Sequence, residues 1–241
     1  MKYTFRILRF DSTRDAEPHF QEFSYEPAKI GTVLEALMGI RNEQDGSLAF
    51  RYSCREAVCG SCAMVINGNI DLACRTMVDS LKSPAIVLEP LPNLDVLKDL
   101  VVDMKPFYDA LESVRPYIVP ADDPPEKEFP IEDRELAKIE KFTNCILCGS
   151  CYSVCPVVAR DPRYIGSIAI AKFYRFVADR RDRRPYSDWA RINTDGGAWG
   201  CDTVFRCNLV CPRYVRPADG IEAMRLKIVK EKIKRFLRLK K

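Results

Sequence analysis

The sequence predicts an α+β protein with two parts: a mixed β-sheet crossed by a helix at the N-terminus, and an all-α region after it. Before residue 90, apolar and polar residues alternate in several short segments, which is the period of a half-buried strand. After Pro90-Leu-Pro92 the apolar residues recur at helical spacing instead. We therefore expect one domain over residues 1–100 and a second over residues 101–241.

Composition limits the classes of protein to consider. The chain has 241 residues, of which 47% are hydrophobic, so it can bury a core. Its net charge is only +4, and the basic residues concentrate in residues 160–191 and 225–241. No run approaches the ~20 apolar residues that span a bilayer. The N-terminus alternates like a strand and lacks a signal peptide, so we expect a reducing compartment, with any membrane span supplied by another subunit.

The first strands and helix of the N-terminal part follow from local patterns. Residues 2–7 alternate strictly between polar and apolar and predict a strand, and residues 20–25 predict its hairpin partner. Thr32 and Glu35 form a capping-box pattern, which typically starts a helix. We expect that helix to end near Asn42.

Four cysteines of the N-terminal part follow the spacing Cys-x4-Cys-x2-Cys with a distant fourth: Cys54, Cys59, Cys62 and Cys74. This is the plant-type [2Fe-2S] spacing, so we expect all four to ligate such a cluster. Residues 63–73 predict a hairpin that turns at Asn67-Gly68 and returns Cys74 towards Cys62. Gly60 and Ser61 are small enough for backbone N–H groups to approach the sulfurs. Residues 85–89 predict a further strand.

The C-terminal part contains two runs with the spacing Cys-x2-Cys-x2-Cys-x3-Cys-Pro, and Val204 replaces the second cysteine of the second run. In ferredoxins with two clusters, the last cysteine of such a run ligates the other cluster. This crossed ligation predicts a [4Fe-4S] cluster on Cys145, Cys148, Cys151 and Cys211. It leaves three thiolates for the other site, and valine cannot ligate iron. We therefore expect a [3Fe-4S] cluster on Cys155, Cys201 and Cys207.

Helices should connect these runs. Residues 103–115 and 131–142 are expected to be helical, separated by a Pro- and acid-rich surface loop over residues 116–130. Asp161-Pro162 predicts the start of another helix. The core stripe of that helix is predicted as Ile165, Ala169, Ile170, Phe173 and Val177. A last helix over residues 217–239 should carry Ile221, Met224, Ile228, Phe236 and Leu237 roughly on one side.

Zinc and disulfides are the alternatives for the cysteines. Zinc prefers two Cys-x2-Cys pairs or mixed Cys and His ligands, and the single histidine, His19, is far away in the sequence. A zinc-stabilised module that binds nucleic acid through its basic tail would be colourless, and residues 172–176 interleave basic and aromatic side chains as such a module could. The repeated longer run favours iron and sulfur, and we expect no nucleic-acid partner.

The order of these motifs resembles the iron–sulfur subunit of succinate dehydrogenase and fumarate reductase, respiratory complex II, over essentially the whole chain. The resemblance implies an N-terminal β-grasp domain of the plant-type [2Fe-2S] ferredoxin kind, followed by an all-α domain like bacterial ferredoxins.

The same resemblance implies an electron-transfer subunit of an oxidoreductase of the tricarboxylic acid cycle. A partner flavoprotein would carry FAD and interconvert succinate and fumarate, so this chain would have no catalytic residue and no dicarboxylate site. Electrons would pass from FAD through the [2Fe-2S], [4Fe-4S] and [3Fe-4S] clusters to quinone, or in reverse. Membrane anchor subunits would hold the chain peripherally on the cytoplasmic face of the cell membrane.

The chain departs from the ubiquinone-linked members of that family. They resemble one another in a Trp shortly after the first Cys-Pro, where this chain has Val157-Val-Ala-Arg160, and in a His where Asp202 follows Cys201. Trp199-Gly-Cys201 and Val204 look more like bacterial fumarate reductases, which favours menaquinone. Arg160 and Asp202 are therefore candidates for the quinone side. Ala57 stands where the family often has Gly.

A second function stays open. The chain could be the iron–sulfur subunit of a soluble fumarate reductase with a non-quinone, thiol-linked electron partner. Relatives of that kind usually carry additional Cys-rich repeats, and none follows Cys211 in this sequence. We therefore favour the quinone-linked enzyme.

Overall fold

The computed structural model describes residues 2–26, 31–120 and 126–238. These residues form two compact units. The first contains the chain up to Met104 together with Ile146–Val154, and the second contains Lys105–Cys145 and the chain from Cys155 onward. The middle of the Cys145–Cys155 run thus belongs to the first unit, whereas the predicted division at residue 100 assigned the whole run to the second domain. That domain boundary stays a prediction.

A five-stranded mixed sheet forms the first unit, in the order β2-β1-β5-β3-β4. Strands β1 and β5 are parallel, and every other neighbouring pair is antiparallel. The strands are β1 (Tyr3–Arg9), β2 (His19–Tyr25), β3 (Ala63–Ile66), β4 (Asn69–Leu72) and β5 (Ala85–Glu89). Alternate residues of β1 are buried, as its period predicts. Two short strands that the sequence did not predict, β6 (Val96–Lys98) and β7 (Val101–Val102), pair in a separate small sheet.

Helix α1 (Val33–Glu43) starts at the predicted capping box. The hydroxyl of Thr32 accepts a hydrogen bond from Glu35 N at 3.2 Å, and the Glu35 carboxylate accepts one from Thr32 N at 2.7 Å. Two of the N–H groups that every helix start leaves unpaired are thereby satisfied. The inward side of the helix, which includes Leu37 and Ile40, is fully buried.

A buried ion-pair network fixes the segment that leads into the first cysteine loop. Arg9, at the end of β1, donates from Nε to Asp99 at 2.9 Å and from Nη1 to Asp45 at 2.6 Å. Asp99 also accepts from Ala49 N at 2.8 Å, and Ser47 accepts from Arg9 at 2.9 Å. Because Asp99 and Arg9 are both buried, each charge depends on the other.

The second unit is built from helices and contains no strand among its described residues. Its long helices are α2 (Lys105–Glu112), α3 (Asp133–Thr143), α6 (Ser167–Ala178) and α8 (Pro217–Arg238). Three short helices carry or flank cysteines: α4 (Ser150–Ser153, in the first unit), α5 (Pro156–Arg160) and α7 (Arg206–Leu209). Single 3₁₀ turns lie at Asp79–Leu81, Tyr186–Arg191 and Ala198–Gly200. Four of the five predicted stripe residues at α6 are buried, and Val177 is partly buried.

The predicted start of one helix was wrong. No helix starts at Asp161-Pro162, because the Asp161 carboxylate accepts from the backbone and guanidinium of Arg163 instead of capping a helix. Helix α6 begins at Ser167, after Gly166 at φ 83°. In α8, Ile221, Met224 and Ile228 are buried, whereas Phe236 and Leu237 are each 57% exposed.

The loop expected over residues 116–130 lies partly outside the described residues. Residues 116–120 and 126–130 form no helix or strand. Residues 121–125 are not among those the structure describes.

Candidate metal centres

The first group of thiols lies in the loop between α1 and β3 and at the end of β4. Cys62 comes directly before β3, and Cys74 follows β4 by two residues. The hairpin pairs Ala63 with Leu72, and Ala73 N donates to Cys62 O at 3.0 Å. Asn67 and Gly68 both have positive φ, which is the geometry of the predicted type I′ turn. The hairpin therefore brings Cys74 back to Cys62, although they are distant in sequence.

Backbone N–H groups surround the sulfurs of this loop. Cys54 Sγ accepts from the N–H groups of Glu56, Val58 and Cys59 at 3.2–3.4 Å. Cys74 Sγ accepts from Ala57 N at 3.3 Å. Arg55, Ala57 and Gly60 have positive φ, so the backbone of this loop turns sharply around the sulfurs. Such a concave set of donors is suited to negative charge, as thiolates and sulfides carry.

The pKa values of two thiols in this loop are shifted in opposite directions. Burial acts to raise the pKa of Cys59, but hydrogen bonds from Ser61 and from the backbone of Cys54 outweigh burial and lower the pKa to about 6. Burial raises the pKa of Cys62 to about 12. A buried thiolate needs positive charge nearby, which bound iron supplies. The donor set and the four thiols together fit a [2Fe-2S] cluster.

The second group of thiols is divided between the two units. Cys148 and Cys151 belong to the first unit, whereas Cys145 and Cys211 belong to the second. Leu147 and Gly149 have φ of 55° and 80°, so the backbone around Cys148 alternates as it does in the first loop. Cys211 Sγ accepts from Val215 N at 3.3 Å. The ligand set of the [4Fe-4S] cluster stays a prediction.

The third group of thiols lines a single cavity in the second unit. Cys155, Cys201 and Cys207 all line this space, together with Val204. Burial raises the pKa of the Cys155 and Cys207 thiols, that of Cys207 to about 11. The valine that replaces a cysteine in the sequence thus lies at the same cavity as the three remaining cysteines.

A tyrosine that the sequence analysis missed, Tyr164, lies at this cavity. Tyr164 is 3% exposed, and its hydroxyl has no hydrogen-bond partner in the described part of the protein. Buried polar groups in native proteins are almost always paired, so an unpaired hydroxyl beside three thiols indicates that an acceptor belongs there. The third group of residues therefore fits a sulfur-containing cofactor.

Arg225 of α8 holds the Cys201 loop and was also missed by the sequence analysis. Its guanidinium donates to Ala198 O at 2.8 Å, to Thr203 Oγ1 at 3.0 Å and to Cys201 O at 2.6 Å. The same guanidinium lies 5.9 Å from the ring centre of Trp199. Because these bonds fix backbone on both sides of Cys201, Arg225 positions that thiol without touching it.

The structure brings the two predicted quinone-side candidates together. Arg160 Nη2 donates to Asp202 Oδ2 at 2.7 Å, which joins the end of α5 to the residue after Cys201. Both side chains are largely solvent-accessible, 61% and 40% exposed. An exposed pair of this kind contributes at most about 1 kcal/mol to stability.

Large apolar side chains are exposed along the second cysteine run, each within three residues of Cys201, Cys207 or Cys211. They are between 39% and 83% exposed and comprise Trp199, Val204, Phe205, Leu209 and Tyr214. We call these five residues the apolar rim.

Within residues 2–26, 31–120 and 126–238, no helix combines the length and apolar character needed to cross a membrane. Among the same residues, no three His, Cys, Asp or Glu side chains form a site for a single metal ion.

Known families match both parts of the chain. A family model described as "2Fe-2S iron-sulfur cluster binding domain" matches residues 4–109, and one described as "4Fe-4S dicluster domain" matches residues 141–215. These matches confirm the α+β fold class, with a [2Fe-2S] ferredoxin domain followed by a helical ferredoxin-like domain.

Curated relatives match over nearly the full chain. The succinate dehydrogenase [ubiquinone] iron-sulfur subunit 1 of rice mitochondria is 39% identical, over 92% of this chain and 80% of the relative. The fumarate reductase iron-sulfur subunit of Mycobacterium tuberculosis is 38% identical, over 96% and 94%. That of Haemophilus influenzae is 33% identical, over 97% and 96%.

A solved structure described as the Mycobacterium smegmatis Sdh1 complex in the apo form shares the fold. Its matching chain superimposes with a TM-score of 0.85 at 24% identity, over 96% of this chain and 97% of that one. This likeness shows the fold, and the identities above confirm the resemblance drawn from the motifs. The chain belongs to the family of iron–sulfur subunits of succinate dehydrogenase and fumarate reductase, which are subunits of oxidoreductase complexes.

Proposed function

We propose that this chain carries electrons between an FAD-containing flavoprotein subunit and quinone at a membrane anchor, in a succinate:quinone oxidoreductase or quinol:fumarate reductase. Three iron–sulfur clusters would supply one-electron carriers of different potential. Cys54, Cys59, Cys62 and Cys74 would hold [2Fe-2S]. Cys145, Cys148, Cys151 and Cys211 would hold [4Fe-4S], and Cys155, Cys201 and Cys207 would hold [3Fe-4S].

The observation that carries the proposal is the cavity of the third group of thiols, which three thiols and Val204 line together. A fourth thiolate would complete a set for four irons, and valine offers no ligand. With three thiolates at the third site, the chain would hold three clusters of different type. Cluster type is one determinant of reduction potential, so the three potentials would differ. A relay between two redox partners requires such differences.

A close contact within the first unit supports transfer between the first and second clusters. Gly60, in the first cysteine loop, lies so close to the second run that a Cβ there would be 2.8 Å from Cys148 Cβ and 2.9 Å from Ile146 O. Only glycine allows this approach, and φ of 74° at Gly60 also favours glycine. The contact brings the two cysteine loops to van der Waals distance, as a relay needs.

The apolar rim supports a membrane anchor as the partner at the third site. Exposed apolar patches of this kind typically mark interaction surfaces. Phe205 and Val204 belong both to the rim and to the lining of the third cavity, so a partner seated there would cover the mouth of the site. Anchor subunits would thus hold the chain at the cytoplasmic face of the membrane, with quinone, in our proposal menaquinone, beside the third cluster.

Electron paramagnetic resonance of the anaerobically purified protein, with an iron determination, tests the cluster assignment. We expect a [3Fe-4S] signal in the oxidised protein, a [2Fe-2S] signal after reduction and about nine irons per chain, from two, four and three. A second [4Fe-4S] cluster would show that another ligand fills the fourth position. A colourless protein with zinc would overturn the relay.

Purification of the complex tests the partner. The quinone-linked proposal predicts that the complex contains a flavoprotein and at least one membrane anchor. It should catalyse succinate-dependent quinone reduction or quinol-dependent fumarate reduction. Either reaction should be faster with the menaquinone couple than with the ubiquinone couple. A complex without an anchor that reduces fumarate with a thiol donor would instead support the non-quinone alternative.

A further inference from the structure

The hydroxyl of Tyr164 stands out among the polar groups of the protein. Of the buried side-chain nitrogen and oxygen atoms in the described residues, it is the one without a hydrogen-bond partner. Leaving a buried hydroxyl unpaired is costly, so such a group needs an explanation. No protein acceptor within the described residues supplies one.

The ring of Tyr164 is held firmly in place. Its backbone N donates to Asp161 O at 3.1 Å, and the next residue, Ile165, donates to Gly196 O at 3.0 Å. A Cβ at Gly200 would lie 3.2 Å from Tyr164 Cδ2, so the ring packs against the backbone directly before Cys201. With the ring fixed on this side, the hydroxyl cannot rotate away to solvent.

The cavity that holds the third group of thiols also contains Tyr164. Tyr164 lines the cavity together with Cys155, Cys201 and Cys207. A tyrosine hydroxyl has an ordinary pKa of about 10, so it keeps its proton at physiological pH and can act as a donor.

We propose that the Tyr164 hydroxyl donates a hydrogen bond to a sulfur of the third cluster, either the Cys201 thiolate or a sulfide, and thereby raises the reduction potential of that cluster. The inference rests on the proposed [3Fe-4S] assignment and goes beyond it. Reduction adds one electron and hence negative charge to the sulfurs, while the tyrosine keeps its proton. A donor is bound more strongly by the more negative state, so the bond favours the reduced cluster.

Redox titration of the third cluster, followed by its paramagnetic resonance signal in the intact complex, tests the proposal. Tyr164→Phe removes only the hydroxyl and should shift the ratio of oxidised to reduced cluster about tenfold, which is about 59 mV lower for one electron. Tyr174→Phe is the matched control, because Tyr174 lies on α6, packs edge-on against Phe142 and does not line the cavity. The control should leave the potential unchanged.

An unchanged potential in Tyr164→Phe, with the cluster retained, would overturn the proposal. If that variant loses the cluster, 3-fluorotyrosine introduced at position 164 gives a second test. Its more acidic hydroxyl is a stronger donor and should raise the potential above that of the unmodified protein, and an unaltered potential would contradict us. Absence of the [3Fe-4S] signal in the unmodified protein would instead refute the cluster assignment itself, before any variant is compared.

Discussion

Substitution of Val204 by cysteine tests the reasoning on which the third site depends. Val204 lines the cavity of Cys155, Cys201 and Cys207 and occupies the position of the missing ligand in the second run. Thr203 and Phe205 on either side have φ of 57° and 58°, so the backbone turns tightly around this position. A thiol at position 204 would lie where a fourth iron needs a ligand.

The size of the effect follows from the structure. One added thiolate completes a set of four, so the third site should change from [3Fe-4S] to [4Fe-4S] and the iron content from about nine to about ten per chain. Val204 is 50% exposed, so its loss should cost less than about 0.5 kcal/mol of stability. The change in cluster type is therefore separable from damage to the fold.

Iron determination and paramagnetic resonance of the oxidised complex provide the assay. The [3Fe-4S] signal should disappear in Val204→Cys and persist in Leu209→Cys. Leu209 is 83% exposed on α7 and does not line the cavity, so this control adds a thiol in the same region without adding a ligand. Retention of nine irons and of the oxidised signal in Val204→Cys, or a tenth iron in Leu209→Cys, would refute the assignment.

Three further predictions concern the first unit. Ala57 has φ of 56°, so Ala57→Gly should stabilise the protein by about 1 kcal/mol, whereas the control Ala63→Gly in β3 should destabilise it by about as much. Chemical denaturation of the cluster-loaded protein measures both changes. A destabilised Ala57→Gly protein would contradict the backbone argument. In Gly60→Ala, the added Cβ would lie 2.9 Å or less from atoms of the first cysteine run around Cys148. Electron transfer from the [2Fe-2S] cluster to the [4Fe-4S] cluster should therefore slow several-fold, as measured by rapid freezing. An unchanged rate would count against that contact as part of the relay. Hydrogen bonds from Ser47 and then Arg9 lower the pKa of Asp45 to about 2, so its carboxylate should contribute about 1 kcal/mol above pH 4 and lose it as the pH falls to about 2. Asp45→Asn should flatten the acid limb of a stability–pH curve, and an equally steep limb would disprove the assignment to Asp45.

The parts of the fold that the sequence predicted are those determined by neighbouring residues. Thr32 and Glu35 act across three residues, and Asn67-Gly68 determines a turn by its own backbone preference. The cysteine spacings are equally local, since a loop that wraps iron requires its ligands within a few residues. For this reason the spacing and order of the motifs are enough to indicate the family.

The parts that the sequence could not predict depend on contacts between distant segments. Arg225 is 24 residues from Cys201, and nothing in its helix distinguishes it from the other basic residues of α8. The helix start predicted at Asp161-Pro162 was wrong for a different reason. An aspartate can cap a helix or close a short turn, and here its carboxylate closes a turn by accepting a hydrogen bond from Arg163 N. Leu237 continues the apolar pattern of α8 beyond the point where the core ends.

The two candidates for the quinone side form one feature of the folded chain. Arg160 and Asp202 are 42 residues apart in the sequence and look like independent substitutions there, but the fold joins them at 2.7 Å. Because both side chains are largely solvent-accessible, removing one charge alone would cost at most about 1 kcal/mol, but it would release the other side chain from its position. Our proposal for the quinone side therefore concerns the pair rather than either residue.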